Sequence, residues 1–228
     1  QRMAMNPKGV YQLLSDLYLA SIKVATKEKA EIQEFAQNNG LQGGLMPWDW
    51  SYYSEKLKIE KFNLNDEMLK PYFELSKIVH GVFGLATELY GITFKPCKEI
   101  PVYHKEVTAY EVFDNDGKFL SVFYTDFHPR KGKQGGAWMN DFKSQWKIDR
   151  VDSRPHVTIV MNFTRPTETK PALLTFSELE TFMHEFGHAL HGMLANSTYA
   201  SLSGTFVYRD FVELPSQIME NWAVEKDF

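Results

Sequence analysis

The chain has 228 residues, 43% of them hydrophobic and 14% aromatic, enough to bury a sizeable core in one large domain or in a piece of a larger protein. A formal charge of -4 and a pI near 6.0, with Lys and Arg dispersed, give no general attraction to nucleic acid or to an anionic membrane. The single cysteine, Cys97, excludes an intrachain disulfide and points to a reducing compartment such as the cytoplasm, and no run of about 18 apolar residues is present to span a bilayer. The N-terminus carries no apolar signal core and does not begin with Met, so a chain that starts partway into a longer structure is expected, and a periplasmic or secreted location stays open.

Asn6 and Pro7 suit the cap and first position of a helix, and an apolar stripe from Val10 to Ala36 predicts one amphipathic helix of about 30 residues, closed by Asn38, Asn39 and Gly40. Gly43, Gly44 and Pro47 break the chain, and Asp49 is placed to cap a short helix over residues 51–62. Trp48, Trp50, Tyr52 and Tyr53 read as core or groove lining. From Asn65 to Tyr90 the pattern is helical again, restarted at Pro71 and ended by Gly91, with His80 read as a satisfied core histidine.

Residues 107–113 and 119–127 are rich in β-branched and aromatic side chains around Asp114-Asn115-Asp116-Gly117, which predicts a hairpin with a plain turn, since the later ligands of a calcium loop are missing. Lys131 to Gly136 is a basic, glycine-containing loop, residues 156–163 form a third apolar strand, and residues 165–171 link to the next helix. The order predicts a mostly α, α+β architecture with a small antiparallel sheet: a helical part at 1–95, a small β-sheet part at 96–170, and helices at 171–228.

In that last part His184, Glu185 and His188 spell H-E-x-x-H. On a helix the two histidines lie about 40° apart, one turn above each other, and can share one metal, while Glu185 stays level with His184 within reach of a metal-bound water. Ser177 with Glu180, or Thr175 with Glu178, supplies a capping box upstream, and Phe182, Phe186, Ala189, Leu190, Met193 and Leu194 form the buried side of the helix. The motif is short, so a third ligand decides. After the turn residues at 196–204, a second helix starting near Arg209 or Asp210 carries Asp210, Glu213, Gln217 and Glu220 on one face. Glu213 fits the third ligand of an open His-His-Glu zinc site. Asp210 and Glu220 can accept the second ring N–H of a liganding histidine, or else cap the helix and sit in solvent respectively; His191 is read as supporting or structural, because a fourth protein ligand would close the site.

The stretch HEFGHALHGMLANSTYASLSGTFVYRDFVELPSQIMENW, residues 184–222, resembles the thimet-oligopeptidase family of zinc peptidases. MPWDWSYYSEKLK, YEVFDNDGKFLSVFYTDFHPR, GGAWMNDF and KPALLTFSELETFMHEFGH extend the resemblance over nearly the whole chain, nearest the bacterial peptidyl-dipeptidase and oligopeptidase A branch. The resemblance implies one zinc ion on His184, His188 and Glu213, Glu185 as general base, and short unstructured peptides as substrates. It further implies a zincin-like lobe of a two-lobed, channel-forming peptidase, with Gly135, Gly136 and Ala137 running beside the substrate as an edge strand. The family's oxyanion-stabilising Tyr and Gly stretch and its long helical N-terminal portion are not matched here. The expectation is therefore a central piece that works with the remaining N- and C-terminal parts of its parent and has low activity alone. The rival reading is a non-catalytic peptide-binding or scaffold module that keeps the metal site; a base at Glu185 separates the two.

Overall fold

A computed structural model of the chain describes residues 4–226 and divides it into two compact units, with the boundary between Met68 and Leu69. In the first unit, α1 (Pro7–Asn38) begins as expected: Asn6 accepts the Gly9 N–H at 3.0 Å, Pro7 fills the first position, and Gly40 follows the helix with φ +95°. Only Ile32 and Ala36 of its apolar stripe are buried, and Leu13, Leu14 and Leu17 are exposed. α2 (Trp50–Phe62) starts behind Asp49, but that carboxylate accepts the Met46 N–H at 3.1 Å and makes no cap bond to the helix. Trp48 and Tyr52 are exposed, not core.

α3 (Asp66–Leu69) and a single 3-10 turn holding Pro71 lead to α4 (Leu75–Tyr90), which Gly91 ends in the left-handed conformation. His80 is exposed and is not the core histidine its apolar neighbours suggested: two positions before the buried Val82, it is turned about 200° to the opposite side of the helix.

Among the described residues seven strands follow: β1 (Thr93–Pro96), β2 (Thr108–Phe113), β3 (Phe119–Asp126), β4 (Trp138–Lys143), β5 (Trp146–Ile148), β6 (Val151–Ser153) and β7 (His156–Val160). The expected hairpin is β2–β3. Asp114 closes its turn by accepting the N–H groups of Asp116 and Lys118, at 3.0 and 2.8 Å, which gives that carboxylate a turn-forming role. The α+β class holds, with one correction: the main sheet, in the order β1-β2-β3-β7-β4, is mixed and not wholly antiparallel, because β7 enters parallel to β3. Two side chains set that register at the start of both strands. Ser121 Oγ donates to the Pro155 carbonyl at 2.9 Å, and Arg154 Nε donates to the Leu120 carbonyl at 2.7 Å. β5 and β6 form a separate hairpin that the sequence pattern did not predict.

One face of the sheet, with Val112, Phe123, Val157 and Ile159, packs in a single core with Val82 and Ala86 of α4 and with the metal-motif helix α5 (Phe176–Met193), which contributes Leu179, Phe182, Met183, Phe186, Ala189 and Met193. Phe83, Phe94, Phe123 and Phe186 interlock there, with Phe83 and Phe94 stacked at 4.1 Å. At about 2 kcal/mol for each buried aromatic side chain, this core holds α5 rigidly on the sheet. No helix among the described residues is long and apolar enough to cross a membrane.

On the other side of the sheet, Asp126 is 1% exposed and receives Arg130 through two bonds (2.7 and 2.8 Å), Lys133 at 2.9 Å and the Tyr103 hydroxyl at 2.9 Å. Burial pushes its carboxyl pKa up, but the hydrogen bonds from Arg130, Lys133 and Tyr103 outweigh burial and hold it at about 2. A depressed native pKa stabilises the fold above the unfolded pKa, and that contribution is lost as pH falls from about 4 through 2. The stability gap between wild type and Asp126→Asn is therefore expected to narrow by about 2 kcal/mol between pH 5 and pH 2, read from urea midpoints. A gap independent of pH would show that Asp126 is not ionised in the native cluster.

Candidate metal centre

α5 starts on the second of the two possible capping boxes. Thr175 Oγ1 accepts the Glu178 N–H at 3.1 Å, and the Glu178 carboxylate accepts the Thr175 N–H at 2.8 Å. With its apolar side fixed in the core, the helix turns His184 and His188 to the edge of that face, their rings 4.9 Å apart and nearly perpendicular. Opposite them lies α6 (Arg209–Glu220), which carries Glu213.

The two helices approach so closely because of Gly187. A Cβ there would sit 2.4 Å from the Pro215 carbonyl oxygen and 2.6 Å from Ser216 Cα, so the backbones touch only where no side chain intervenes. Glu213 Oε2 then lies 3.3 Å from His184 Nε2 and 3.2 Å from His188 Nε2. Among the described residues these three side chains form one group with all donor atoms within 4.8 Å of one another. Tetrahedral coordination at about 2.0–2.1 Å separates neighbouring ligands by about 3.3 Å, so the spacing of the carboxylate oxygen to both nitrogens suits zinc.

The electrostatics suit it as well. Glu220 Oε1 lies 2.5 Å from His184 Nδ1, so a proton on Nδ1 donates to Glu220 and leaves the Nε2 lone pair facing the centre. Burial holds the His188 imidazole pKa below its ordinary value against the pull of Glu213, keeping it in the neutral form a metal requires. The Ser216 hydroxyl and then the two imidazoles lower the Glu213 carboxyl, keeping it anionic. Glu185 is 6% exposed, and its Oε2 is buried without a hydrogen-bond partner among the described residues. Burial raises its pKa; His184 opposes that and Glu213 reinforces it. A carboxyl with one buried, unsatisfied oxygen beside the histidines is equipped to take up and give back a proton.

Of the residues expected to support the ligands, Glu220 contacts His184 directly, and Asp210 stands in the first turn of α6. His191 packs near Phe211 and lines an apolar cavity of about 410 Å³ with Leu190, Leu194, Pro215 and Met219, its buried Nδ1 without a partner among the described residues. Gly135, Gly136 and Ala137 lie in the bend that leads into β4, one of the sheet's two edge strands, and the Gly136 carbonyl accepts from Asn162 Nδ2 at 2.7 Å. Sequence reasoning passed over Gly187 and Ser216. A glycine inside a helix, costing about 1 kcal/mol relative to alanine, is the signal that points to the first.

A model of peptidase family M3 matches residues 1–228. The chain is similar to dipeptidyl carboxypeptidase of Escherichia coli (strain K12), 43% identical over 225 residues, which is 97% of this chain and 32% of the relative. It is similar also to oligopeptidase A of the same organism, 42% identical over 228 residues, 99% of this chain and 34% of the relative. A thimet-like oligopeptidase of Dictyostelium discoideum is 36% identical over 192 residues, 79% of this chain and 27% of the relative. The chain thus spans about a third of the length of the curated relatives it matches.

Proposed function

The chain belongs to peptidase family M3, and from that premise we propose that the protein hydrolyses peptide bonds in short peptides, with one zinc ion held by His184, His188 and Glu213. The observation that carries the reading is the convergence of both histidine Nε2 atoms on one Glu213 oxygen, with Glu185 buried beside them. Zinc bound there supplies Lewis-acid polarisation of a water and of the peptide carbonyl.

The chain's own residues do the rest. Glu185 takes the proton of the attacking water on its carboxylate and gives it to the leaving amine, so it ends the cycle as it began. Glu220 holds the His184 ring in the orientation and tautomer a ligand needs. The edge strand β4, entered through Gly135, Gly136 and Ala137, offers an extended peptide a backbone to pair with. A scaffold that retained a structural metal would have no use for a buried carboxyl at position 185, which favours the hydrolytic reading over the non-catalytic one.

The test measures zinc per chain and the cleavage of a short quenched peptide by the intact protein. One zinc per chain is expected, held far more weakly in Glu213→Ala, with cleavage that a chelator abolishes and added zinc restores. Zinc binding unaffected by Glu213→Ala would overturn the ligand assignment.

A further inference from the structure

Glu213 faces a problem of orientation. Its side chain is 49% exposed, so water competes for the carboxylate and the flexible stem is free to swing away from the histidines. Ser216 differs in every respect. It lies one turn further along α6, is fully buried, and places its hydroxyl 2.7 Å from Glu213 Oε2 and 2.9 Å from the Glu213 carbonyl oxygen. Oε2 is the same atom that faces both imidazoles.

We infer that Ser216 is a positioning residue of the metal centre: its hydroxyl donates to Glu213 Oε2 and holds that carboxylate in the rotamer that meets His184 and His188. The inference rests on the reading of those three side chains as zinc ligands. A hydroxyl has one proton to give, and of the two acceptors the carboxylate is both nearer and charged, which makes it the stronger partner. Being buried, the hydroxyl cannot turn to water instead, so its proton is committed inside the protein.

The position of the hydroxyl is itself fixed by α5. Ser216 Cα packs where a side chain on residue 187 would stand, between the two liganding histidines in sequence. The helix that carries the imidazoles thereby also sets where the donor to the third ligand stands. Glu213 is oriented from beneath by a buried neighbour, as His184 is oriented from its far side by Glu220.

A double-mutant cycle on zinc affinity, read by competition with a chromophoric chelator in the intact protein, tests this with wild type, Ser216→Ala, Glu213→Ala and the double variant. Ser216→Ala is expected to weaken zinc about 10- to 100-fold and to cost nothing further once Glu213 is alanine. An equal loss in both backgrounds would mean that Ser216 supports the fold and not the carboxylate, and no loss in either would mean that its hydroxyl holds nothing; each overturns the inference. Zinc binding by Glu213→Ala as tight as wild type would instead remove the ligand assignment on which the inference stands, so the two failures are told apart.

Discussion

Glu185→Gln is expected to keep one zinc per chain and to lose peptide cleavage by about 10²- to 10⁴-fold, the range a positioned general base contributes. Glutamine has nearly the same shape, so the substitution leaves the core around α5 intact and removes only the capacity to accept a proton. The residue is 6% exposed, with one oxygen that finds no partner among the described residues. A buried charge without a partner opposes folding more than a neutral amide without one, so the variant should be as stable as wild type or more so. That combination, activity lost and stability kept or raised, separates a functional carboxyl from a structural one. The measurement is turnover of a quenched peptide at saturating zinc, beside a urea titration of the same preparations. Undiminished turnover would sink the assignment of Glu185 as base, whatever the zinc content.

Gly187→Ala should do the opposite, damaging the site through its geometry while leaving every reactive group in place. By helix propensity alone, alanine inside α5 would stabilise by about 1 kcal/mol. Against this stands a Cβ placed 2.4 Å from the Pro215 carbonyl oxygen and 2.6 Å from Ser216 Cα. Both are backbone atoms, so relief requires α6 to move as a body. Overpacking of this kind costs about 1–3 kcal/mol, which outweighs the propensity gain, and the displacement carries Glu213 away from the histidines. Zinc affinity is expected to fall by about 100-fold, the upper end of what disturbing the support of a ligand produces, with cleavage falling alongside. Chelator competition and thermal unfolding with and without zinc would check it. Wild-type zinc affinity in Gly187→Ala would show that α6 has room to spare.

Much of this centre is legible in the amino-acid sequence. The three-and-four spacing of Phe182, Phe186, Ala189 and Met193 turns the histidines to one edge of a buried helix, and the carboxylate-bearing face of the following helix singles out Glu213. The Asn6 cap, the turn at Asp114 and the Gly91 stop also follow from local chemistry, because each is settled by residues within a few positions of one another.

From the amino-acid string alone, then, come the side of α5 and α6 on which the centre's residues stand and the donor groups they carry. What stands across from those faces follows from the packing of whole elements. Glu220 meets the Nδ1 of His184 across 36 positions of chain; β7 enters beside β3 in parallel; and Gly187 and Ser216 form the contact where two helix backbones touch. Periodicity encodes orientation within an element, whereas the partner opposite is chosen by how whole elements pack. A missing Cβ or a buried hydroxyl acquires its meaning only there.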